Sequence, residues 1–333
     1  MFYIRTDMND TIATGHVMRC LSIADAMKSM GEEVIFILAD DNAAELLLKR
    51  GYQYIILNTK WDDMESELEE LQKVILEKKI DKILIDSYQV TKYYLEMVRK
   101  WVRVAYIDDL NIFDYPIDTL ICYANYWRKF DYEKRYSGTK LLLGSKFAPI
   151  REAFQTCEKK DIKDKVENLL ILSGGTDKYN MIKGLLEKIP RNNYHRIYVI
   201  CGKYYEGYEA LKEQYCEEKN VVIKKAVSDI EKYMSETDVT ISAGGTTLYE
   251  LCAMGTPTIS FSFVDNQLDN VMQFHRDGMI DYAGDIRTDD VIERILALLE
   301  NFSKEKRGKQ SKDMQALVDG MGAFRIAKAL MEM

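Results

Sequence analysis

The run Val239–Phe261, reading Val-Thr-Ile-Ser-Ala-Gly-Gly-Thr-Thr-Leu-Tyr-Glu-Leu-Cys-Ala-Met-Gly-Thr-Pro-Thr-Ile-Ser-Phe, leaves the chain few choices of fold. Its β-branched start (Val239, Thr240, Ile241) asks for a strand, and Gly244-Gly245 allows a tight turn with close backbone approach. Thr246 and Thr247 open a helix that Gly255-Thr-Pro257 closes, and a second strand follows, so the stretch is one βαβ unit. The first turn of that helix presents unpaired N–H groups and a positive dipole end, with no glycine side chain in the way, which suits an anion such as a diphosphate. Glu250, one turn further in, can accept hydrogen bonds from a ribose diol. The plain alternative is a helix-packing turn beside a solvated glutamate, since a short glycine-rich turn is a weak motif.

The same rhythm runs through the chain. Strand-like runs at Phe2 to Thr6, Glu33 to Leu38, Tyr54 to Leu57, Lys82 to Asp86, Val102 to Asp109 and Thr119 to Cys122 alternate with helical periods after Gly15, from Ala43 to Lys49, from Asp62 to Lys78 and from Thr91 to Lys100. Alternation resumes with strands at Leu169 to Ser173, Arg196 to Cys201 and Val221 to Lys224, and helices at Tyr179 to Lys188, Tyr208 to Glu218 and Ser228 to Glu236. Further helices are expected at Asp265 to Gly278, Thr288 to Phe302, and in two pieces either side of Gly320-Met-Gly322. Ala124 to Lys140 shows no period and reads as loop. This is the pattern of an α/β chain with parallel sheets covered on both faces. At 333 residues with 47% apolar content there is room for two such domains, expected at 1–145 and 146–333. Loops after Thr6, Asp86, Asp109, Ser173 and Ser242 lie at strand carboxyl ends, where open α/β sheets bind ligands, and are expected to face one cleft.

A net charge of -8 without a long basic run argues against nucleic acid or an anionic membrane as partner. No apolar run approaches the roughly 18 residues of a membrane span, and no export signal opens the chain. The six cysteines show no metal or CxxC spacing, which points to a reducing cytoplasm. The three histidines are scattered, so no metal site is expected.

His16 follows Gly15 at a strand-to-helix crossover, where a neutral imidazole near a helix N-terminus can serve as base. Otherwise it bonds its own loop, and His195 and His275 read as solvated. Arg5 and Asp7 flank the first strand's end and either order the His16 loop or pair with each other. Asp86, Asp109 and Asn125 each follow an apolar strand, where they can bind sugar hydroxyls or form turns. Gly174-Gly175-Thr176-Asp177 mirrors Gly244-Gly245-Thr246-Thr247, giving a second glycine turn at a helix start. Asn266 and Gln267 open a later helix, as caps or as sugar readers.

Together, Arg5-Thr-Asp7, Ile12 to Ala24 with its Gly-His-Val-Met-Arg block, Ile85-Asp-Ser-Tyr88, Ile107-Asp-Asp109, Ala148-Pro-Ile-Arg151, Gly174 to Asp177 and Asn266-Gln267 resemble a known family. It is the UDP-sugar hydrolases of pseudaminic acid synthesis, with the related spore-coat polysaccharide proteins. The Val239–Phe261 unit resembles GT-B glycosyltransferases more widely. The resemblance implies GT-B architecture, two Rossmann-like domains facing a central cleft, UDP held mainly by the second, and the last helix packing back on the first. It implies His16 as catalytic residue acting on water at the anomeric carbon of a UDP-activated 2,4-diacetamido-2,4,6-trideoxyhexose, with UDP and free sugar released and no cofactor. Arg5, Asp7, Gly15, Asp86, Tyr88, Asp109, Asn125, Arg151, Asn266 and Gln267 then fall to the substrate. Gly174, Gly175, Thr176, Gly244, Gly245, Thr246, Thr247 and Glu250 fall to UDP. The Gly-Gly-Thr-Thr turn looks more like a transferase. An inverting UDP-sugar glycosyltransferase is therefore the alternative, and a non-catalytic nucleotide-sugar binding protein the third reading.

Overall fold

A computed structural model of the chain describes every residue but Thr156, and every side chain of those but that of Asn266. The chain divides into two compact units, Met1–Glu152 with Gly320–Met333, and Ala153–Asp319. The first unit thus ends seven residues beyond the expected boundary at 145 and recovers the C-terminal segment.

In the first unit the strands are β1 (Phe2–Thr6), β2 (Val34–Leu38), β3 (Gln53–Ile56), β4 (Lys82–Asp86), β5 (Arg103–Ile107), β6 (Thr119–Cys122) and β7 (Lys140–Leu143). Its helices before the second unit are α1 (Gly15–Ser29), α2 (Ala44–Lys49), α3 (Leu68–Lys78), α4 (Lys92–Arg99) and the single turn α5 (Tyr132–Arg135). All seven strands are parallel in the order β3-β2-β1-β4-β5-β6-β7, so the winding reverses between β1 and β4. The central strands are buried on both faces, which is why they read as unbroken apolar runs rather than alternating ones. α1 is buried nearly all round because the last helix packs along its outer side.

The segment expected to be loop, Ala124 to Lys140, is instead tied into the core. Phe130 and Tyr132 are buried in the same apolar cluster as Tyr106 and Tyr115, and the Tyr132 hydroxyl donates to buried Asp108. Aromatic anchors rather than periodicity hold it, and a search for helical or strand spacing passes over such anchors.

The second unit contains β8 (Asn168–Leu172), β9 (Arg196–Cys201), β10 (Val221–Lys225), β11 (Val239–Ala243), β12 (Thr258–Ser262) and β13 (Asp281–Asp285). They form one parallel sheet in the order β10-β9-β8-β11-β12-β13, reversing between β8 and β11. Its helices are α6 (Met181–Lys188), α7 (Tyr208–Gln214), α8 (Ile230–Glu236), α9 (Thr247–Met254), α10 (Asp265–Arg276), α11 (Val291–Glu300) and α12 (Lys304–Leu317), and α13 (Gly322–Met331) returns to the first unit. β13 escapes the sequence reading because Asp281-Tyr-Ala-Gly-Asp285 is a short edge strand with acids at both ends. Among the described residues no helix is long and apolar enough to cross a membrane.

Candidate functional site

In the first unit the chemistry collects at the winding reversal, where Thr6 at the end of β1 pairs in register with Asp86 at the end of β4. Open sheets of this kind bind ligands beyond this point. The eight residues after Thr6 return the chain to α1, whose start carries no side-chain cap. His16 sits in the first turn of α1 and is 5% exposed. Its Nδ1 lies 2.8 Å from Asp86 Oδ1, and the Tyr88 ring meets it edge-on at 4.5 Å between centroids.

Asp86 has no exposed surface. Burial works to raise its carboxyl, but Arg19 and then His16 outweigh it and hold the group well below the usual carboxylate range. Asp86 is therefore ionised, and its Oδ1 is the nearer partner of His16 Nδ1 at 2.8 Å, with Arg19 Nη2 at 3.1 Å. Two lone pairs cannot face each other at the shorter distance, and Nη2 already donates to Asp86 Oδ1 at 2.5 Å, so His16 Nδ1 carries the proton and donates it. The lone pair then resides on Nε2. A buried carboxylate that fixes the tautomer and orientation of an imidazole in this way leaves the far nitrogen free to take a proton.

Arg19, one helical turn after His16, donates Nε to Asp86 Oδ2 at 2.6 Å and Nη2 to Oδ1 at 2.5 Å. Its Nη1 donates to the Tyr123 hydroxyl at 2.9 Å and to Asp109 Oδ2 at 3.1 Å. Asp109 also accepts from the Tyr88 hydroxyl at 3.0 Å, while its Oδ1 is buried without a hydrogen-bond partner. His16, Asp86, Tyr88 and Asp109 are thus brought together at one end of the sheet. Arg19 is the member that sequence reasoning missed, although its spacing of three from His16 puts both on one helix face.

The other expected substrate residues of this unit divide. Gly15 is exposed at the mouth of α1, Asn125 is nearly buried after β6, and Arg151 is half-buried. Arg5 and Asp7, which the resemblance gives to the substrate, pair with each other, the alternative that the residues themselves allowed. Arg5 has no exposed surface, its guanidinium grips Glu67 at 2.9 and 2.6 Å, and it reaches Asp7 at 2.5 Å. Asp7 in turn accepts the Ala39 amide at 2.8 Å, and Tyr94 donates to Glu67 at 2.7 Å. With its donors used internally and no surface to offer, Arg5 braces the end of β1 rather than meeting a substrate. Glu67 was invisible in a glutamate-rich helical run. Asp86 is likewise corrected from sugar ligand to partner of His16, because both of its oxygens are spent on His16, Arg19 and the Cys20 thiol.

In the second unit both glycine turns leave neighbouring strands at the reversal, one after β8 and one after β11. Gly174, Gly175 and Thr176 are exposed, and Gly174 has φ +85. The N-terminus of α6 behind them is already occupied, since Asp177 accepts the amides of Met181 at 2.9 Å and Ile182 at 3.1 Å. α9 differs, for its N-cap residue Thr246 makes no capping hydrogen bond through its side chain. A Cβ on Gly244 would lie 2.0 Å from Val271, so that glycine is needed for packing against α10. At Gly245 a Cβ meets nothing within 4 Å and φ is not positive, so neither packing nor backbone geometry asks for glycine there. Open space at an uncapped helix start is what an approaching anion needs. Thr246 is exposed, and Thr247 and Glu250 are half-exposed in the first turn. Asn270 secures the turn by donating to the Gly244 carbonyl at 3.2 Å. Gln267 accepts the Phe263 amide at 3.1 Å and so caps the loop into α10, while the side chain of Asn266 lies outside the described residues.

Two doubly wound parallel sheets, one with a buried acid–histidine pair and one with paired glycine turns at its reversal, make up the GT-B fold. The chain belongs to the glycosyltransferase family 28 C-terminal domain family, which it matches over residues 144–321. Its whole length superimposes on all of the crystal structure of MurG from Acinetobacter baumannii, with a TM-score of 0.73 at 12% identity. It is 21% identical to the spore coat polysaccharide biosynthesis protein SpsG of Bacillus subtilis, over 96% of this chain and 94% of SpsG. It is also 23% identical to MJ1062 of Methanocaldococcus jannaschii, an uncharacterized protein, over 77% of this chain but only 54% of that relative, so it spans about half the length of the latter. These likenesses agree with the GT-B and spore-coat parts of the resemblance seen in the sequence and stand at the level of glycosyltransferases.

Proposed function

We propose that the chain transfers the glycosyl group of a UDP-sugar to an acceptor hydroxyl with inversion. The observation that carries this reading is the His16 Nδ1 to Asp86 Oδ1 contact of 2.8 Å at the winding reversal of the first unit. The acceptor O–H gives its proton to His16 Nε2 as its oxygen bonds to the anomeric carbon. The C1–O bond to the diphosphate breaks, and its electron pair leaves on UDP. The imidazolium formed is stabilised by Asp86. The uncapped start of α9 with Gly245, Thr246 and Thr247 receives the diphosphate and the charge that grows on it, and Glu250 takes the ribose hydroxyls. Asp109, with one buried oxygen unpaired, supplies an acceptor for a substrate hydroxyl or N–H.

A second reading keeps every role but makes water the acceptor, so that a UDP-activated diacetamido-trideoxyhexose is hydrolysed. It is favoured by the 5% exposure of His16 beneath the Tyr88 ring, which suits a small nucleophile. Incubation with a panel of UDP-2-acetamido sugars, with and without sugar acceptors, separates the two. Acceptor-dependent UDP release supports transfer, and equal release in water alone supports hydrolysis. Tight UDP-sugar binding with no release under either condition would overturn both and leave a binding protein.

A further inference from the structure

We propose that Arg19 is the positioning residue of this site: its guanidinium keeps Asp86 ionised and thereby holds the His16 proton on Nδ1, without itself meeting the reacting atoms. The inference deepens the proposed function and rests on it for its kinetic half only.

The geometry is that of a fork. Nε and Nη2 reach the two oxygens of Asp86 at 2.6 and 2.5 Å, and Nη1 is taken by Tyr123 at 2.9 Å and Asp109 at 3.1 Å. Arg19 is 8% exposed, and the Tyr88 and Tyr123 rings lie within 5.9 and 5.7 Å of it. Four of its five N–H donors are so engaged and the fifth, on Nη2, lies toward His16 Nδ1 at 3.1 Å, so this guanidinium is not a phosphate clamp.

What it controls is a proton. Asp86 is faced by His16, Arg19 and Cys20 from α1, by Tyr106 from β5, by Asp109 and Tyr123 beyond β5 and β6, and by Tyr88 beyond β4. Arg19 is the permanent cation of that set. Without it, burial prevails and lifts the Asp86 carboxyl, an effect worth up to about 3–5 pH units for a fully buried acid. A protonated Asp86 donates to His16 Nδ1, and the imidazole proton moves to Nε2, the nitrogen that has to be empty.

The test uses the full chain labelled with ¹⁵N-histidine, whose three imidazoles are assigned by His16→Asn. In the parent, His16 at neutral pH should show a protonated Nδ1 and a bare Nε2. In Arg19→Gln the pattern should reverse, and the acid limb of kcat should move up by at least about one pH unit. Turnover should fall roughly 10²–10⁴-fold, as for loss of a working base, with KM for the UDP-sugar changed less than turnover. Arg19→Lys keeps the charge and loses the fork, so it should retain the parent tautomer with turnover reduced at least about tenfold. An Arg19→Gln protein with the parent tautomer and acid limb would overturn the proposal. Should that variant not fold, an Arg19→Lys protein whose His16 proton sits on Nε2 although the charge is kept would overturn it as well. A chain that turns over no UDP-sugar refutes the functional reading, and the tautomer measurement still decides the role of Arg19.

Discussion

Asp86→Asn changes one atom of the buried pair and carries two separable consequences. The amide keeps the shape of the carboxylate, but it offers one acceptor where Arg19 and His16 ask for two. The carbonyl goes to the guanidinium, the stronger donor, and the NH₂ then faces His16 Nδ1, which has to accept. The imidazole proton shifts to Nε2, and the base is lost. Removing one partner of a buried ion pair ordinarily costs ~3–5 kcal/mol. Here Arg19 keeps Asp109 at 3.1 Å, so the lower end, about 3 kcal/mol, is expected. Urea unfolding followed by tryptophan fluorescence reads this cleanly, because Trp61, Trp101 and Trp127, the three tryptophans of the chain, all lie in the first unit. Turnover should drop by about 10²–10⁴-fold under conditions where the variant is still folded. An Asp86→Asn protein with the parent's urea midpoint and turnover would refute the reasoning that ties Asp86 to both fold and base.

Three further expectations rest on different parts of the molecule. Gly244→Ala should destabilise the second unit, because its methyl meets Val271, whereas Gly245→Ala should melt like the parent yet bind UDP at least about tenfold more weakly by calorimetry. Equal UDP affinity for Gly245→Ala and parent would remove the diphosphate from that turn. Glu67→Gln should lower stability by ~3–5 kcal/mol with the fluorescence assay as readout, since Arg5 is then left buried against Asp7 alone; a change under about 1 kcal/mol would mean the pair is relaxed in solution. Lys160 is held down to about 8 by burial, against an ordinary value of 10.5. A depressed folded value means the unfolded chain binds more protons between those limits. Its contribution is thus complete above 10.5 and is lost as pH falls through about 8, so the parent should gain stability relative to Lys160→Met between pH 7.5 and about 9.5. A pH-independent difference would contradict the shift.

What the sequence made legible was local. Strand, turn and helix in Val239–Phe261 follow from residues within a few positions of each other, and the structure returns them as β11, α9 and β12. The placing of Asp86 and Asp109 just at or after strand carboxyl ends, and of His16 at the helix start that follows β1, follows from topology alone. What was hidden depended on long separations. Arg19 meets Asp86 across 67 positions and Arg5 meets Glu67 across 62, and no spacing within one segment announces either. The same limit turned Asp86 into a supposed sugar ligand, because a charged residue at a strand end looks alike whether it faces a ligand or a buried partner. The Asp177 carboxylate repeats the lesson on a smaller scale. Gly174-Gly175 mirrors Gly244-Gly245 in sequence, but only the structure distinguishes the helix start that is capped from the one that is open.

The most direct measurement of the central claim is the anomeric configuration of the first-formed product, read by proton NMR while a UDP-α-sugar is being consumed. A base at His16 acting in a single displacement requires the attacking oxygen to arrive opposite the departing UDP, so the product should appear first as the β-anomer, with either a sugar hydroxyl or water as acceptor. A product formed first as the α-anomer would contradict the assignment of His16 and Asp86 as the pair that drives the reaction.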